Sequence, residues 1–284
     1  MSEGDHSAMQ RSFVDVIVPV YNAPAMLANC LDALVDRLPL YARLHLIDDA
    51  SPDPAVQQLL STHVLASRRA VTLRRNAENL GFVATVNAAM AACDGDVVLL
   101  NTDTVVTHGW LDRIVTCAGS DPRIASITPF SNNAEICSLP DFCRANPVPA
   151  DPEALARAAL AAGPPTYPEL PTAVGFCMFL RRAALDAIGL FDAQTFGRGY
   201  GEENDWCLRA SAHGWRHVLC DDAYVVHVGG ASFAGTGHRP GGEQLARLLA
   251  RYPHYNDLIA TFIDADPLAG RRRAVLAQLH PPPS

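Results

Sequence analysis

The first half of the chain alternates short apolar segments with segments of helical period, and this alternation restricts the fold more than any other feature of the sequence. Residues 14–20, VDVIVPV, predict a buried strand, and the helical pattern at 24–36 begins at a proline, which is favoured in a first helical turn. Further strands are predicted at 43–47, 71–75, 96–101 and 124–128, and further helices from about 54, at 81–94 and at 109–118. This order predicts an α/β fold with a mostly parallel, Rossmann-like sheet flanked by helices.

The second half is less regular and indicates a smaller lobe that joins the first half without a linker. It contains, in order, a loop-like region at 129–150, a helix at 151–162, a proline-rich connector at 163–171, a strand at 175–181, a short helix, a helix within 199–209 and a strand at 223–228. We expect one domain at 13–239, made of the halves 13–128 and 129–239. Residues 1–12 predict a flexible N-terminus, and 240–284 predict a C-terminal helical extension with one helix and a proline-rich end.

Composition and charge exclude several classes of protein. The chain has 284 residues, of which 49% are hydrophobic, and its net charge of −8 disfavours binding to nucleic acid. The sequence has no run of about 18 uncharged apolar residues, so no transmembrane helix is predicted, and the polar N-terminus does not resemble a signal peptide. Eight cysteines are scattered without CxxC spacing, which favours reduced thiols over disulfides or a zinc site. These features predict a cytoplasmic protein.

Polar side chains follow the predicted strands. In the first half they are Asn22, Asp48, Asp49, Asn79, Asn101 and Asp103. Ligands of parallel sheets bind beyond the carboxyl ends of the strands, so this edge is the candidate binding site. The Asp103 carboxylate is suited to bind Mg²⁺ or Mn²⁺, although taken alone it is more typical of a solvated turn. His227 ends a later strand and, taken alone, is typical of a structural histidine.

The segment from Gly199 to Arg209, GYGEENDWCLR, places two adjacent carboxylates at the start of a predicted helix. At about 100° per residue, Glu202 shares a face with Asp205 and Arg209, an i,i+4 pair that is typical of a solvated surface. Glu203 lies on the apolar face instead, where a carboxylate is costly unless it is paired or used in chemistry. We predict that Glu203 is a general base over a cleft, and that Glu202 is a helix-start acid or an acceptor contact.

Eight motifs, in their order and spacing, resemble the inverting nucleotide-sugar glycosyltransferases of family 2, which have the GT-A fold. The motifs are VIVPVYNAP at 16–24, LIDDASPD at 46–53, NLGFVATVNAAM at 79–90, LLNTDTVV at 99–106, GFCMFLRR at 175–182, GLFD at 189–192, GYGEENDWCLRA at 199–210 and HVGGASF at 227–233. The resemblance covers about residues 14–235 and is closest to bacterial enzymes that build cell-surface polysaccharides. It implies that 13–128 binds a UDP- or dTDP-sugar and that 129–239 carries the acceptor and catalytic residues.

The resemblance also implies roles for individual residues. The nucleotide would be bound by Pro19, Val20, Tyr21, Asp48, Asp49, Asn79 and Asn87. Asp103 is the surviving acid of the family's DxD metal motif, which reads Asn101-Thr102-Asp103 here. His227 would be a second ligand of the divalent cation, Mn²⁺ or Mg²⁺. Glu203 occupies the position of the catalytic base, where the family usually has aspartate.

The acceptor side follows from the same resemblance. Asn132 and Gly175 would border the sugar and the acceptor. Tyr200 and Trp206 could stack on a sugar ring, although aromatic residues at such positions are more often part of the core. The glycine-rich loop at 234–241 would close over the donor or form a disordered connection. The acceptor would be a glycan, a lipid-linked saccharide or a protein, and a lipid-linked acceptor would bring the enzyme to the inner face of the membrane.

Three other functions remain as alternatives. A sugar nucleotidyltransferase would carry a basic, glycine-rich phosphate loop after the first strand, but that turn reads PVYNAP. A dinucleotide-dependent oxidoreductase would have GxGxxG at the same place, and this motif is absent. A catalytically inactive nucleotide-sugar-binding module would be expected to lack Glu203, Asp103 or His227, and the sequence retains all three.

Overall fold

The computed structural model describes residues 13–66, 70–197, 199–229 and 242–279. The predicted flexible N-terminus at 1–12 and the predicted loop at 234–241 lie outside the described residues. Within the described residues, the predicted α/β fold with a mostly parallel sheet between helices is confirmed. None of the helices in these ranges combines the length and the hydropathy needed to cross a bilayer.

The first half forms a parallel four-stranded part of the sheet. Its elements are β1 (Val14–Val20), α1 (Pro24–Arg37), β2 (Ala42–Asp48), α2 (Pro54–Ala66), β3 (Val71–Arg75), α3 (Phe82–Ala91) and β4 (Asp96–Leu100). β1 lies between β2 and β4, and β3 pairs with β2. Ile17 of β1 enters one hydrophobic core, and Val16 and Val18 enter the other, because successive side chains of a strand point to opposite faces. Both faces of β1 are therefore buried, which explains its continuous apolar pattern.

The second half extends the sheet to eight strands. Its elements are β5 (Thr104–Val106), α4 (Trp110–Ser120), β6 (Ile124–Phe130), α5 (Pro152–Ala161), β7 (Cys177–Leu180), α6 (Arg182–Ile188), α7 (Ala193–Phe196), α8 (Glu202–Ala212) and β8 (Arg216–His227). The strand order is β3-β2-β1-β4-β7-β6-β8-β5. β7 is antiparallel to both of its neighbours, and β5 is antiparallel to β8. β5 was not predicted. β8 begins earlier than predicted because the buried polar residues Asp221 and Asp222, in the middle of the strand, interrupt the apolar pattern.

The described part of the C-terminal extension, residues 242–279, contains three helices, so the prediction of one helix was wrong. They are α9 (Gly242–Arg251), α10 (Tyr255–Ala265) and α11 (Ala269–Leu279). Pro253 and Pro267 lie between them, and a proline ends a helix because it lacks an N–H group and clashes with the preceding turn. α11 packs against α5, and Arg271 pairs with the buried Asp221 of β8 at 2.5 Å.

Candidate active site

Asp103 and His227, the two predicted metal ligands, lie side by side. Asp103 directly precedes β5, and β5 pairs with β8 so that Thr104 lies opposite His227. Oδ1 of Asp103 is 3.5 Å from Nε2 of His227. Asp103 is only 4% exposed, and its Oδ1 has no hydrogen-bond partner among the described residues. A buried oxygen without a partner is costly, so this atom is suited to a ligand.

The surroundings of His227 determine which of its ring nitrogens is available. Nδ1 lies 2.5 Å from the main-chain oxygen of Asn133, and a carbonyl oxygen can only accept, so Nδ1 carries a proton. In the neutral ring, Nε2 therefore presents a lone pair toward Asp103. Burial by itself lowers the pKa of His227, but the Asp103 carboxylate more than offsets this effect, so the pKa is raised. A cation between the two groups would replace the proton that this pairing favours.

Asn132 fixes the main chain at His227. Its Oδ1 accepts a hydrogen bond from the His227 N–H at 2.9 Å, and its Nδ2 donates to the His227 carbonyl oxygen at 2.9 Å. Asn132 is buried and its amide is occupied by these bonds, which gives it a structural role, and its contact with the acceptor remains a prediction. Gly229, two residues after His227, has a φ of 78°, and a Cβ at this position would overlap the side-chain nitrogen of Asn133. Any other residue at this position would be strained by the positive φ and would displace the Asn133 side chain.

The Asp103–His227 pair fits a divalent cation. Ligand atoms about 2.0–2.2 Å from a cation, in adjacent coordination positions, are separated by roughly 3–3.5 Å. The separation of 3.5 Å between the two side chains is at the upper end of this range. One carboxylate oxygen and one imidazole nitrogen suit Mn²⁺, and they leave most of its coordination positions to a bound ligand.

A second cluster of ligand-type side chains, Asp15, His45 and Cys93, lies elsewhere in the described part of the chain. Arg43 donates to both carboxylate oxygens of Asp15, at 2.7 and 2.6 Å, and Nε2 of His45 is 2.7 Å from one of them. The carboxylate is therefore already neutralised by a bidentate arginine. We interpret this cluster as a structural ion pair.

Glu202 and Glu203 lie at the N-terminus of α8. Glu203 is half-buried, and its carboxylate accepts hydrogen bonds from the Gly201 N–H at 3.1 Å and from the Asn204 amide at 3.3 Å. Burial raises the pKa of Glu203 to about 7, and the Glu135 carboxylate contributes to the rise. Glu202 is 5% exposed, its Oε2 has no partner among the described residues, and burial beside Glu203 raises its pKa as well. A carboxylate with a pKa near 7 is suited to accept a proton at neutral pH.

Two consecutive residues before β7 connect Glu203 with the metal-ligand pair. A Cβ added to Gly175 would lie 3.9 Å from Cγ of Glu203, and the ring of Phe176 stacks on His227 with the ring centroids 5.1 Å apart. Tyr200 lies in the same cleft. Burial raises its pKa, and the carboxylates that add to the rise are those of Glu202, Glu203 and Asp103. The structure thus brings the predicted base, the predicted metal ligands, Gly175 and Tyr200 to one place.

Glu135 and Tyr255 also face this cleft, and the sequence analysis did not identify them. Glu135 begins a 3-10 turn, Glu135–Cys137, and its carboxylate acts electrostatically on Glu203. Tyr255 begins α10 and is hydrogen-bonded to Thr172, and burial together with the charges of Glu203 and Glu135 raises its pKa. Neither residue belongs to a recognisable motif. Only the packing of the C-terminal extension places Tyr255 near the base.

The aspartates predicted to bind the nucleotide base stabilise turns at the carboxyl ends of the strands. Asp48 forms an ion pair with Arg75 and accepts a hydrogen bond from the Ser51 N–H at 2.9 Å. Asp49 accepts hydrogen bonds from the Asn76 amide at 2.7 Å and from the N–H groups of Leu80 and Gly81 at 2.8 and 2.9 Å. These bonds give both carboxylates a structural role, and their contact with a base remains a prediction.

Two amide oxygens at this edge are buried and have no partner among the described residues, Oδ1 of Asn22 and Oδ1 of Asn79. Pro19 and Tyr21, which precede Asn22, are half-buried. An amide oxygen accepts hydrogen bonds from hydroxyl or N–H groups, both of which a nucleoside carries. Asn22 and Asn79 thus each offer a free hydrogen-bond acceptor at this edge, as Asp103 does.

Four other residues predicted to contact the ligand have buried side chains or structural partners. Val20, Thr102 and Trp206 are each at most 1% exposed, and their contact with the ligand remains a prediction. The indole of Trp206 lies in a hydrophobic core and donates to the Gly189 carbonyl oxygen at 2.8 Å. The amide of Asn87 donates to and accepts from the main chain of Phe191, at 2.8 and 3.1 Å, which gives it a structural role. Asn101 remains half-buried beside Asp103.

The face of α8 that carries Asp205 is buried, although the sequence predicted a solvated surface pair. Asp205 is 0% exposed. It accepts hydrogen bonds from Arg209 of the same helix and from Arg251 and Tyr252 of the C-terminal extension. The helical period identified the face correctly, but it does not reveal what packs against that face.

Several solved structures share this fold. A structure described as GalNAc-T7 with UDP, GalNAc and Mn²⁺ superposes with a TM-score of 0.66 at 13% identity, covering 94% of this chain and 54% of that chain. The mannosyltransferase PcManGT from Pyrobaculum calidifontis, in complex with GDP-Man and Mn²⁺, has a TM-score of 0.56 at 18% identity, with coverages of 97% and 77%. S. aureus TarS 1-349 in complex with UDP-GlcNAc has a TM-score of 0.57 at 14% identity, with coverages of 94% and 79%. This chain thus spans about half the length of the first of these structures.

The sequence comparison is more specific than the structural one. The chain has no significant match among curated proteins. The family described as Glycosyl transferase family 2 matches residues 15–189, a region that runs from β1 to α6 and includes Asp103, Gly175 and Phe176. Because this match covers more than half of the chain, and because the fold is that of GT-A glycosyltransferases, the chain belongs to glycosyl transferase family 2.

Proposed function

We propose that the protein is a metal-dependent, inverting glycosyltransferase that moves a sugar from a UDP- or dTDP-sugar to a hydroxyl group of a glycan, lipid-linked or protein acceptor. The observation that carries the proposal is the pair of consecutive residues Gly175 and Phe176: a Cβ at Gly175 would lie 3.9 Å from Cγ of Glu203, whose pKa is raised to about 7, and the Phe176 ring stacks on His227, which lies beside Asp103. Two of the similar structures contain Mn²⁺ together with UDP or GDP-Man, which supports this class of donor and cation. We place the activity in surface polysaccharide or glycoconjugate synthesis, in the cytoplasm or at the inner face of the membrane.

The proposed reaction is a single displacement. Asp103 and His227 would hold the cation, which when bound supplies positive charge that stabilises the diphosphate leaving group. Glu203 takes the proton of the acceptor hydroxyl while the oxygen forms a bond to the anomeric carbon of the sugar. The bond between that carbon and the diphosphate oxygen breaks, and the nucleoside diphosphate leaves with the electron pair. Glu203 then releases its proton to solvent, and the anomeric centre is inverted.

Turnover of a nucleotide sugar by purified protein tests the residue roles. A panel of UDP- and dTDP-sugars with a mixed set of saccharide acceptors is read out by released nucleotide, with and without Mn²⁺. Glu203→Gln should lower kcat by about 10²–10⁴-fold, as expected for loss of a general base. Glu243→Gln is the matched control, since Glu243 is an exposed glutamate on α9 that pairs only with Arg247 among the described residues, and it should keep the wild-type rate.

The outcomes separate the proposal from its alternatives. Asp103→Ala and His227→Ala should each abolish the stimulation of turnover by Mn²⁺. If the wild-type enzyme turned over equally well without any divalent cation, the proposed metal-binding role of both residues would be wrong. Donor binding without turnover would favour a binding module over an enzyme. An α-linked donor should give a β-linked product by NMR, and an α-linked product would exclude the single displacement.

A further inference from the structure

The helix that carries Glu203 is held by a buried ion pair with the C-terminal extension. Asp205 lies two residues after Glu203 and is 0% exposed. Its Oδ1 accepts hydrogen bonds from Arg251 at 2.6 Å and from the Tyr252 hydroxyl at 3.0 Å, and its Oδ2 accepts from Arg209 at 2.8 Å. A buried carboxylate depends strongly on such partners, since removal of one leaves an uncompensated charge.

Arg251 connects α8 to a second element. Nη1 of its guanidinium donates to Asp205, and Nη2 donates to Oδ2 of Asp192 at 2.9 Å and to Oγ1 of Thr195 at 3.1 Å. Asp192 caps α7, because its Oδ1 accepts from the Thr195 N–H at 2.9 Å. One arginine side chain, 38% exposed, therefore joins α7, α8 and α9.

The first turn of α8 lies directly against these elements. Gly201, which caps the helix, has a φ of 95°, and a Cβ added there would lie 3.1 Å from the Phe196 ring of α7 and 3.9 Å from the Gln244 carbonyl oxygen of α9. The Asp205 N–H donates to the Gly201 carbonyl oxygen at 2.9 Å, and the Gly201 N–H donates to the Glu203 carboxylate at 3.1 Å. A continuous series of hydrogen bonds thus runs from Arg251 through Asp205 and Gly201 to the proposed base.

We infer that Arg251 is a positioning residue for Glu203 and that it acts through Asp205 to fix the first turn of α8 relative to Asp103 and His227. The inference rests on the base role proposed above for Glu203. Arg251 lies beyond the residues 15–189 that match the family, so this contribution comes from the chain's own C-terminal extension. The extension is then a part of the catalytic apparatus rather than an appendage to it.

The test compares two arginines of α9. Arg251→Met keeps most of the side-chain volume but removes the charge, and it should lower kcat by about 10–100-fold while the KM for the donor changes less than about twofold. Arg251→Lys keeps a charge beside Asp205 and should restore part of kcat. Arg247→Met is the matched control, because Arg247 lies one turn earlier, donates to the Thr195 carbonyl oxygen and pairs with Glu243 without touching Asp205. It should keep the wild-type kcat.

Two further measurements show whether the effect passes through Asp205 and α8. In an Asp205→Asn background, Arg251→Met should change kcat by less than about twofold. Amide hydrogen exchange should become faster in the first turn of α8 in Arg251→Met but not in Arg247→Met. Wild-type kcat in Arg251→Met, equal losses in the two α9 variants, or unchanged exchange in α8 would each overturn the inference. The exchange experiment needs no substrate, so its result is independent of the proposed activity, and absence of donor turnover by the wild-type enzyme would count against the proposed function alone.

Discussion

The rate of transfer should depend on pH through Glu203. The base must be ionised to accept a proton, so kcat/KM should rise with pH and reach half of its plateau near pH 7, the value to which burial raises the pKa of this carboxyl. The ionised fraction of a group with that pKa falls from about 90% at pH 8 to about 10% at pH 6, so the rate should fall roughly tenfold over this interval. An unburied glutamate, with a pKa near 4.3, would show almost no change between these two pH values.

The assay is a series of initial rates of nucleotide release from pH 5 to 9 at several Mn²⁺ concentrations. The Asp103 carboxylate raises the pKa of His227, and protonation of this ring competes with the cation, so any pH dependence of the rate that arises from His227 should move with the Mn²⁺ concentration. The limb due to Glu203 should not move. Glu135→Gln removes a charge that raises the pKa of Glu203, so the limb should shift to lower pH, whereas Glu243→Gln should leave it in place. A limb centred near pH 4.5, or one unaffected by Glu135→Gln, would refute the assignment of this cleft environment to the base.

Three other perturbations test the framework of the cleft. Glu202→Gln should raise the thermal unfolding midpoint at pH 8 and leave it unchanged at pH 4. Because the pKa of Glu202 is higher in the folded than in the unfolded protein, the wild-type protein loses stability as the pH rises from the unfolded-state pKa to the folded-state pKa. Glutamine cannot ionise and so avoids this loss, which is about 1–3 kcal/mol for a buried group without a partner. An equal shift at both pH values would contradict this reasoning. Asn132→Ala should weaken Mn²⁺ binding about 10–100-fold in calorimetry, because it removes both hydrogen bonds that hold the main chain of His227, and an unchanged Kd would show that His227 is fixed by other contacts. Gly229→Ala should lower the free energy of unfolding by about 1–2 kcal/mol because of the positive φ, and further because of the overlap with Asn133. Gly214 has a φ of 81° and open space around it, so Gly214→Ala should show only the loss due to the positive φ. Equal denaturation midpoints for the two variants would rule out a contribution from the overlap.

The general architecture and the position of the binding edge were predictable from the sequence, because they depend on local periodicity. The apolar strands followed by helices predicted β1 to β4, and the residues after those strands predicted Asp103 at the edge. β5 was not predicted because a strand of three residues directly after a polar turn is too short to show an alternation of apolar and polar side chains. The three C-terminal helices could have been separated at Pro253 and Pro267, which the sequence displays.

The roles of individual polar residues were less predictable, because side-chain partners distant in sequence decide them. Asn132 was expected at the ligand but is occupied by the main chain of His227, 95 residues later. Asp205 was assigned to the surface, yet a partner 46 residues later buries it. Trp206 was expected to stack on a sugar, but the aromatic residues that the structure places near the base are Tyr200 and Tyr255. Residue type and spacing suggest chemistry, whereas burial depends on which segments pack together.

The adjacency of Gly175 and Phe176 sets a limit on how the substrate range of this enzyme can change. A Cβ added to Gly175 would lie 3.9 Å from the proposed base, the Phe176 ring stacks on a proposed metal ligand, and consecutive Cα atoms joined by a trans peptide are about 3.8 Å apart. The carbonyl oxygen of Phe176 also accepts a hydrogen bond from the Asn101 N–H at 2.9 Å, and the strand that follows is paired on both sides. In the proposed mechanism, the main chain would therefore act as a spacer of constant length between the site of proton removal and the site of leaving-group stabilisation. Changes of substrate range would then be expected to come from residues other than this pair.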